Sequence, residues 1–405
     1  MQVLALFFVF SAQAASAVAG RNTLAPLLKS GGQTVPGSYI VKLKDGVLTT
    51  QTDVQLSSFT ERADHVYTHA FHGFATKLDD ESLVALRRRS DVEYIEHDGI
   101  ASVNGYIEQP NAPWGLVRIS HRQRVGTSYV YDDSAGLGTC AYIIDTGVDV
   151  THPEFGNRAQ VLKSFVNDTT DGNGHGTHLA GIIGSKTYGV AKKTRIYGVK
   201  VLDNSGSGTY SNIIAGMDFV AKDWKTRNCP KGAMANLSLG GSFSAAVNNA
   251  AASLVKAGVF TSVAAGGDNS DASRNSPASE PTVCTVGGTT RSDTRLSSSN
   301  YGPIVDIFAP GEAITSTWTN GGTVSRDASP LGTLRSHMIL QNTISGTSTS
   351  AAYITGLGCY LAGFEGNPGA EPLCKRIQEL ATKDVIQNIP KGTLNLLAFN
   401  GNPTG

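Results

Sequence analysis

Three residues of this chain have the types and the order that nucleophilic catalysis needs. Ser348 lies in SGTSTSAA (residues 345–352), flanked by small residues and followed by a predicted helix. A serine hydroxyl attacks poorly until a base takes its proton, and the base needs a carboxylate to fix its tautomer. His175, in DGNGHGTHLAGII (171–183), supplies the imidazole at the Gly-rich entry to a helix, and Asp145, in AYIIDTGVDVTHPEF (141–155), supplies the carboxylate at the end of an apolar run. Singly, each has an ordinary reading: a small-residue turn, a histidine at a helix start, a turn aspartate after a strand. Three together in order favour the catalytic one.

The elements around these residues predict how they are positioned. Apolar β-type runs (CAYIID, RIYGVKVL, MANLSLG, VFTSVAA, TVCTVGG) alternate with helical stretches (GTHLAGIIGS, SNIIAGMDFVAKDW, SAAVNNAAASLVKAG, TSAAYITGLGCYLAG). This predicts an α/β fold, a mostly parallel sheet with helices on both faces, with the site at the C-terminal ends of its strands. Asp145 and the glycine-rich loops fall at those ends.

Ahead of this region, residues 20 to about 106 read as a separate small α+β unit. SYIVKLKDG, FHGFATKL and VEYIEHDG read as strands, and DDESLVALRRR as a helix with acids at its start and arginines at its end. Four of the nine histidines (His65, His69, His72, His97) sit here; they are either a pH-sensitive hold near pH 6 or ordinary solvated residues. Residues 1–19 read as a secretory signal, with the apolar core VLALFFVF before small-residue cleavage sites.

Composition narrows the class. The 405 residues carry 33 basic and 33 acidic side chains, which argues against a nucleic-acid or polybasic membrane role, and no membrane span is evident. All five cysteines follow residue 139, as suits an oxidising compartment, and spacing alone leaves their pairing open. Cys359, in GLGCYLAG, reads as a small buried hydrophobe. Asn167 and Asn236 begin glycosylation sequons, the first predicted to be exposed and the second in a predicted buried strand.

With these motifs in hand, the chain resembles the subtilisin-like serine proteases, in particular the proteinase K-like group secreted by fungi. The resemblance runs from NAPWGLVRIS (111–120) through residues 188–221, NLSLGG (236–241) and SPASEPTVCTVGG (276–288) to IPKGTLNLLA (389–398). It implies a peptidase domain over 107–405 and an inhibitory propeptide over 20–106 that is cut away near Tyr106-Ile107. It implies disulfides Cys140 with Cys229 and Cys284 with Cys374, leaving Cys359 free. Substrate would lie as an extra strand between Gly206-Ser207-Gly208 and Ser238-Leu239-Gly240, with Ala264, Ala265 and Gly266 walling the main specificity pocket. Small, uncharged walls predict broad cleavage after aromatic or aliphatic residues. No cofactor is expected for the chemistry. Structural calcium is expected on the Pro281 and Val283 carbonyls and the Asp306 carboxylate, although Asp306 also reads as a plain turn acid. A second metal position is not expected, because Arg122 stands where an oxygen ligand would. Expected partners are protein or peptide substrates and the chain's own propeptide; a monomer is expected.

The chain departs from the family pattern in three places. Where the family carries an oxyanion-donating asparagine in AAGN, this chain reads AAGGDNSDA and places Gly267, with Asn269 two residues later. After Ser348 the usual Met-Ala-Thr-Pro-His is Thr349-Ser350-Ala351-Ala352-Tyr353. Residues 324–341 exceed the family spacing; they begin Val-Ser and end in Gln, as a retained intron translated in frame would, and a genuine surface loop is the other reading. The first two departures also motivate a rival reading: a low-activity or non-catalytic relative that binds peptides or inhibitors in the same groove.

Overall fold

The computed structural model describes residues 24–29, 34–47, 54–99, 105–319 and 341–405. The chain divides into two compact units, Met1–Val103 and Asn104–Gly405. The predicted signal and residues 324–340 of the predicted insertion lie outside the described residues. Gln341, the last residue of that insertion, opens strand Gln341–Ile344, which pairs antiparallel with Ile314–Thr317.

The first unit is a five-stranded sheet in the order Leu27–Leu28, Val92–Gly99, Thr34–Leu43, Gly73–Lys77, His65–Tyr67. Period-2 alternation drives strand Thr34–Leu43 onto its core: Tyr39, Val41 and Leu43 are buried with Phe74, Val92 and Ile95. Helix Asp80–Arg87 covers that face with Leu83 and Leu86. Its start is fixed by Asp79, whose carboxylate accepts the Ser82 N–H at 2.8 Å, and Arg87 sits in its last turn. None of the four histidines in this unit is buried, which fits the solvated reading.

The second unit is built on a nine-stranded sheet. Its order is Thr382–Lys383, Leu396–Leu397, Ile307–Pro310, Cys284–Thr289, Val259–Ala264, Ala233–Leu237, Cys140–Asp145, Arg195–Lys200, Ala159–Ser164. Every pairing is parallel except that of the two short C-terminal strands. Strand Cys140–Asp145 is wholly buried, and its alternate residues feed two cores. Ala141 and Ile143 pack with Leu179, Ile183, Ile354 and Leu357 of helices His175–Gly184 and Thr347–Glu365. Tyr142 and Ile144 pack with Ile213, Met217, Val247 and Leu254 of helices Tyr210–Asp223 and Ala245–Lys256 on the opposite face. Strands buried on both faces have to read as continuous apolar runs, which is why these were visible in the sequence.

Two later strands flank Cys140–Asp145: Arg195–Lys200 on one side and Ala233–Leu237 on the other. The chain therefore reverses its direction of travel across the sheet at this strand, and a crevice opens at its C-terminal end. Asp145 is its last residue. Disulfides Cys140–Cys229 and Cys284–Cys374, with Cα atoms 5.7 and 5.8 Å apart, are the two pairs the resemblance implies. Cys359 is free and buried, and burial pushes its thiol up to about 11, so it packs as an inert small side chain. Among the described residues no helix is long and apolar enough to cross a membrane.

Candidate active site

Asp145 and His175 meet at the crevice. His175 Nδ1 lies 2.8 Å from Asp145 Oδ1, which also accepts the Thr146 N–H at 2.7 Å. Asp145 is fully enclosed, while the His175 side chain keeps about a quarter of its surface exposed. Burial works against the imidazolium, but the charge and hydrogen bond of Asp145, with Asp171 behind it, outweigh burial and raise the His175 pKa above 6.5. The base is held in one tautomer and one direction.

Asp171 makes this half of the site rigid, and the sequence reading passed over it. Its Oδ1 accepts the Thr146 hydroxyl at 2.9 Å and the Gly174 N–H at 2.8 Å; its Oδ2 accepts the Thr177 N–H at 2.9 Å. Thr146 Oγ1 in turn accepts the Gly176 N–H at 2.9 Å. One buried carboxylate thus ties the strand end bearing Asp145 to the helix start bearing His175, where unpaired N–H groups favour an anion. Gly176 has to lack a side chain, since a Cβ there would meet the Gly147 carbonyl oxygen. The nearby His178 is no rival base. Burial pushes it down to about 3, and its Nε2 sits 3.0 Å from the Ile314 carbonyl.

Ser348 is the second residue of helix Thr347–Glu365 and is half-buried. Its hydroxyl donates to the Ser238 carbonyl at 3.2 Å rather than to His175, and the Ser238 hydroxyl donates back to the Ser348 carbonyl at 2.8 Å. His175 and Ser348 nevertheless open on two hollows that share Ser238, Leu239 and Gly240. One, of about 520 Å³, is lined by His175, Gly206, Ser207 and Gly208. The other, of about 470 Å³, is lined by Ser348, Ala264, Gly266 and Gly267. Tyr353, further along the helix, is enclosed and packs against Gly115, where a Cβ would meet its hydroxyl.

Gly267 is exposed at the rim of the second hollow, and a Cβ built there meets nothing within 4 Å. Asn269 does not stand in for a side chain at this point: its Oδ1 accepts from Arg295 at 2.9 Å, and it does not line the hollow. Two expectations need correcting. Ala265 does not wall the pocket; it follows Ala264 on the opposite face of the chain and is buried in the core, contributing its carbonyl, which accepts Asn300 Nδ2 at 3.0 Å. Asn236 does not fit a glycan: it is fully enclosed, donates to Thr355 Oγ1 at 3.2 Å and accepts from the Ser238 hydroxyl at 3.0 Å. Asn167 is exposed.

The residues named for calcium gather at the opposite, N-terminal edge of the sheet. Pro281 and Val283 precede strand Cys284–Thr289, and Asp306 precedes its parallel neighbour Ile307–Pro310. Asp306 Oδ2 accepts the Thr285 N–H at 2.8 Å, yet burial raises the carboxyl to about 6. A half-buried carboxylate so placed suits a cation. The Cys284 and Cys374 sulfurs lie within 4.8 Å of its carboxylate, but they are bonded to each other, which leaves oxygen as the available donor. Arg122 lies over the Phe399 ring at 4.1 Å and donates to the Ala381 carbonyl at 3.3 Å.

A crevice at the strand ends of a doubly wound sheet, with an enclosed Asp bonded to a part-exposed His beside a hollow adjoining that of a helix-start serine, suits an acyl-transferring hydrolase. Residues 137–381 match the Subtilase family of peptidases and residues 38–103 match the Peptidase inhibitor I9 family, so the chain belongs to the subtilases and carries an I9 segment ahead of the peptidase region. It is 54% identical over 391 residues to the "Cuticle-degrading protease" of Metarhizium anisopliae, covering 96% of both chains. It is 50% identical over 387 residues to "Proteinase R" of Parengyodontium album, covering 96% of this chain and 95% of that one. A crystal structure of a cold adapted subtilisin-like serine proteinase superposes with a TM-score of 0.63 at 40% identity, over 72% of this chain and 98% of that chain. The protein is a subtilisin-like serine endopeptidase made with an inhibitor segment.

Proposed function

We propose that Ser348 is the nucleophile, His175 the general base and Asp145 the residue that orients His175. The observation that carries this reading is the 2.8 Å bond between a fully enclosed Asp145 and a part-exposed His175 at the rim of a hollow adjoining that of Ser348. The Ser348 hydroxyl turns from the Ser238 carbonyl to His175 Nε2 as it gives up its proton. It attacks the peptide carbonyl, His175 passes the proton to the leaving amine, and water then hydrolyses the acyl-enzyme. The Ser348 N–H, at a helix start, faces the developing oxyanion.

Substrate lies as a strand between Gly206–Gly208 and Ser238–Gly240, and cleavage is broad with an aromatic and aliphatic leaning. The chain is secreted as a monomeric zymogen with a signal over 1–19. The I9 segment acts as an intramolecular inhibitor until cleavage near Tyr106-Ile107, two residues that are surface-exposed. Pro281, Val283 and Asp306 hold a calcium ion that supports the fold and takes no part in the chemistry. Asn167 carries the glycan. Incubating the processed chain with an unstructured protein tests the central assignment: slow hydrolysis is expected, and equal hydrolysis by Ser348→Ala would remove Ser348 from the mechanism. The binding-only alternative has no observation in its favour beyond the open position at Gly267.

A further inference from the structure

The hollow beside Ser348 is lined mostly by small residues, and one amide side chain is among its lining residues. Asn275, half-buried on the short strand Asn275–Ser276, lines that hollow together with Gly266, Gly267 and Ser348. Its Oδ1 accepts Asn300 Nδ2 at 3.2 Å. The orientation of both amides follows from Asn300, which is fully enclosed and saturated. Asn300 Oδ1 takes the N–H groups of Asp268 at 2.9 Å and Ser270 at 3.0 Å, and its Nδ2 gives one bond to the Ala265 carbonyl and one to Asn275. Two backbone donors fix the oxygen and a backbone acceptor fixes the nitrogen. The Asn275 atom facing Asn300 is therefore its oxygen, and its NH₂ group is left without a hydrogen bond to any described residue.

Of the other polar side chains on this wall, Ser298 and Ser345 are exposed, and the three buried hydroxyls are engaged. The Ser238 hydroxyl is held by Asn236 and Ser348, the Thr347 hydroxyl by the Gly266 carbonyl at 3.2 Å, and the Ser276 hydroxyl by the Ser244 backbone. Asp268, the acid on this wall, is exposed. A donor that is oriented by a buried partner and open to the hollow has to find an acceptor when a side chain excludes water from it, or pay for its desolvation.

We propose that Asn275 is a specificity-determining residue that donates from Nδ2 to a neutral oxygen acceptor on the substrate side chain filling this hollow, immediately before the cleaved bond. The pocket thereby accepts glutamine-like side chains as well as the apolar ones its small walls admit. This rests on the assignment of Ser348 as nucleophile and of the adjoining hollow as the pocket for that side chain.

The test uses three peptides that differ only at that residue: γ-methyl glutamate, whose ester carbonyl only accepts; glutamine, which accepts and donates; and norleucine, which does neither. The processed parent is compared with Asn275→Asp, which keeps the bond to Asn300 but turns the pocket donor into an acceptor, and with Asn275→Leu. The ratio of kcat/KM for γ-methyl glutamate over norleucine is expected to fall about tenfold in both variants. The glutamine to norleucine ratio is expected to fall in Asn275→Leu and to hold in Asn275→Asp, because the glutamine amide can donate to the new carboxylate. An unchanged γ-methyl glutamate ratio in Asn275→Asp would overturn the proposal. Loss of equal size on all three peptides would do the same, assigning the amide to the oxyanion instead. Affinities of the same peptides for Asn275 variants made in a Ser348→Ala background read the pocket without turnover. If the parent cleaves none of the peptides, the nucleophile assignment fails while these affinities still decide the role of Asn275.

Discussion

The two halves of this active site are built to different standards. Around the base, one carboxylate oxygen of Asp145 holds His175, and Asp171 clamps the strand end and the helix start together through Thr146, Gly174 and Thr177. Around the substrate carbonyl, the segment Gly266-Gly267-Asp268 is held from beneath by Asn300 but presents no side-chain donor, and the space above Gly267 is open. Proton transfer depends on the first half and oxyanion stabilisation on the second. On the proposed assignment, the chain keeps what would activate Ser348 while leaving the electrostatic term in the transition state to backbone groups.

Filling the open half gives the largest expected change. Gly267→Asn meets no obstruction, and in subtilisin one such donor is worth roughly 100-fold to 1000-fold in turnover, so kcat should rise by about two orders of magnitude. Steady-state kinetics on one peptide check this, and an unchanged kcat would mean that another donor already serves.

Loosening the closed half gives a smaller and differently signed effect. Asp171→Asn removes a charge that helps to raise His175 and disrupts the clamp, so kcat/KM should fall about ten- to hundredfold. If His175 is the base, activity needs it neutral; because Asp145 and Asp171 raise its pKa, the acid limb of the parent lies above that of an ordinary imidazole. In Asp171→Asn this acid limb should move to lower pH. A fall in rate without movement of the limb would make Asp171 a structural residue with no electrostatic share.

Far from both halves, Asp306→Ala should leave the acid limb where it is and abolish the rise in thermal midpoint on adding calcium. That rise corresponds to about 2.7 kcal/mol at a hundredfold excess over Kd, or roughly 5–10 °C. Thermal scans with and without calcium check this. An undiminished calcium response in the variant would move the ion elsewhere.

What the sequence disclosed follows the reach of each interaction. Asp145, His175 and Ser348 sit on short motifs at element ends, and the strands feeding two cores read as apolar runs, so both were legible locally. Asp171 was within reach too, since a carboxylate four residues ahead of His175 stands where a helix start attracts anions. The placing of Ala265 was also recoverable, because strand alternation sets it opposite Ala264. The Asn275–Asn300 pair was not: its partners are 25 residues apart, and only the folded loops bring them to one wall. The burial of Asn236 was anticipated from its apolar strand, but its exclusion as a glycan site needed its two hydrogen-bond partners.

The central claim is that a complete activating half acts on Ser348 although the oxyanion half is open. Its most direct test is covalent labelling of the processed protein with a fluorophosphonate, with the modified residue identified by mass spectrometry across a pH series. The account predicts one label, on Ser348, forming at a rate that falls as His175 is protonated and that collapses in His175→Ala. Absence of label on Ser348, or labelling at the parent rate in His175→Ala, would contradict it.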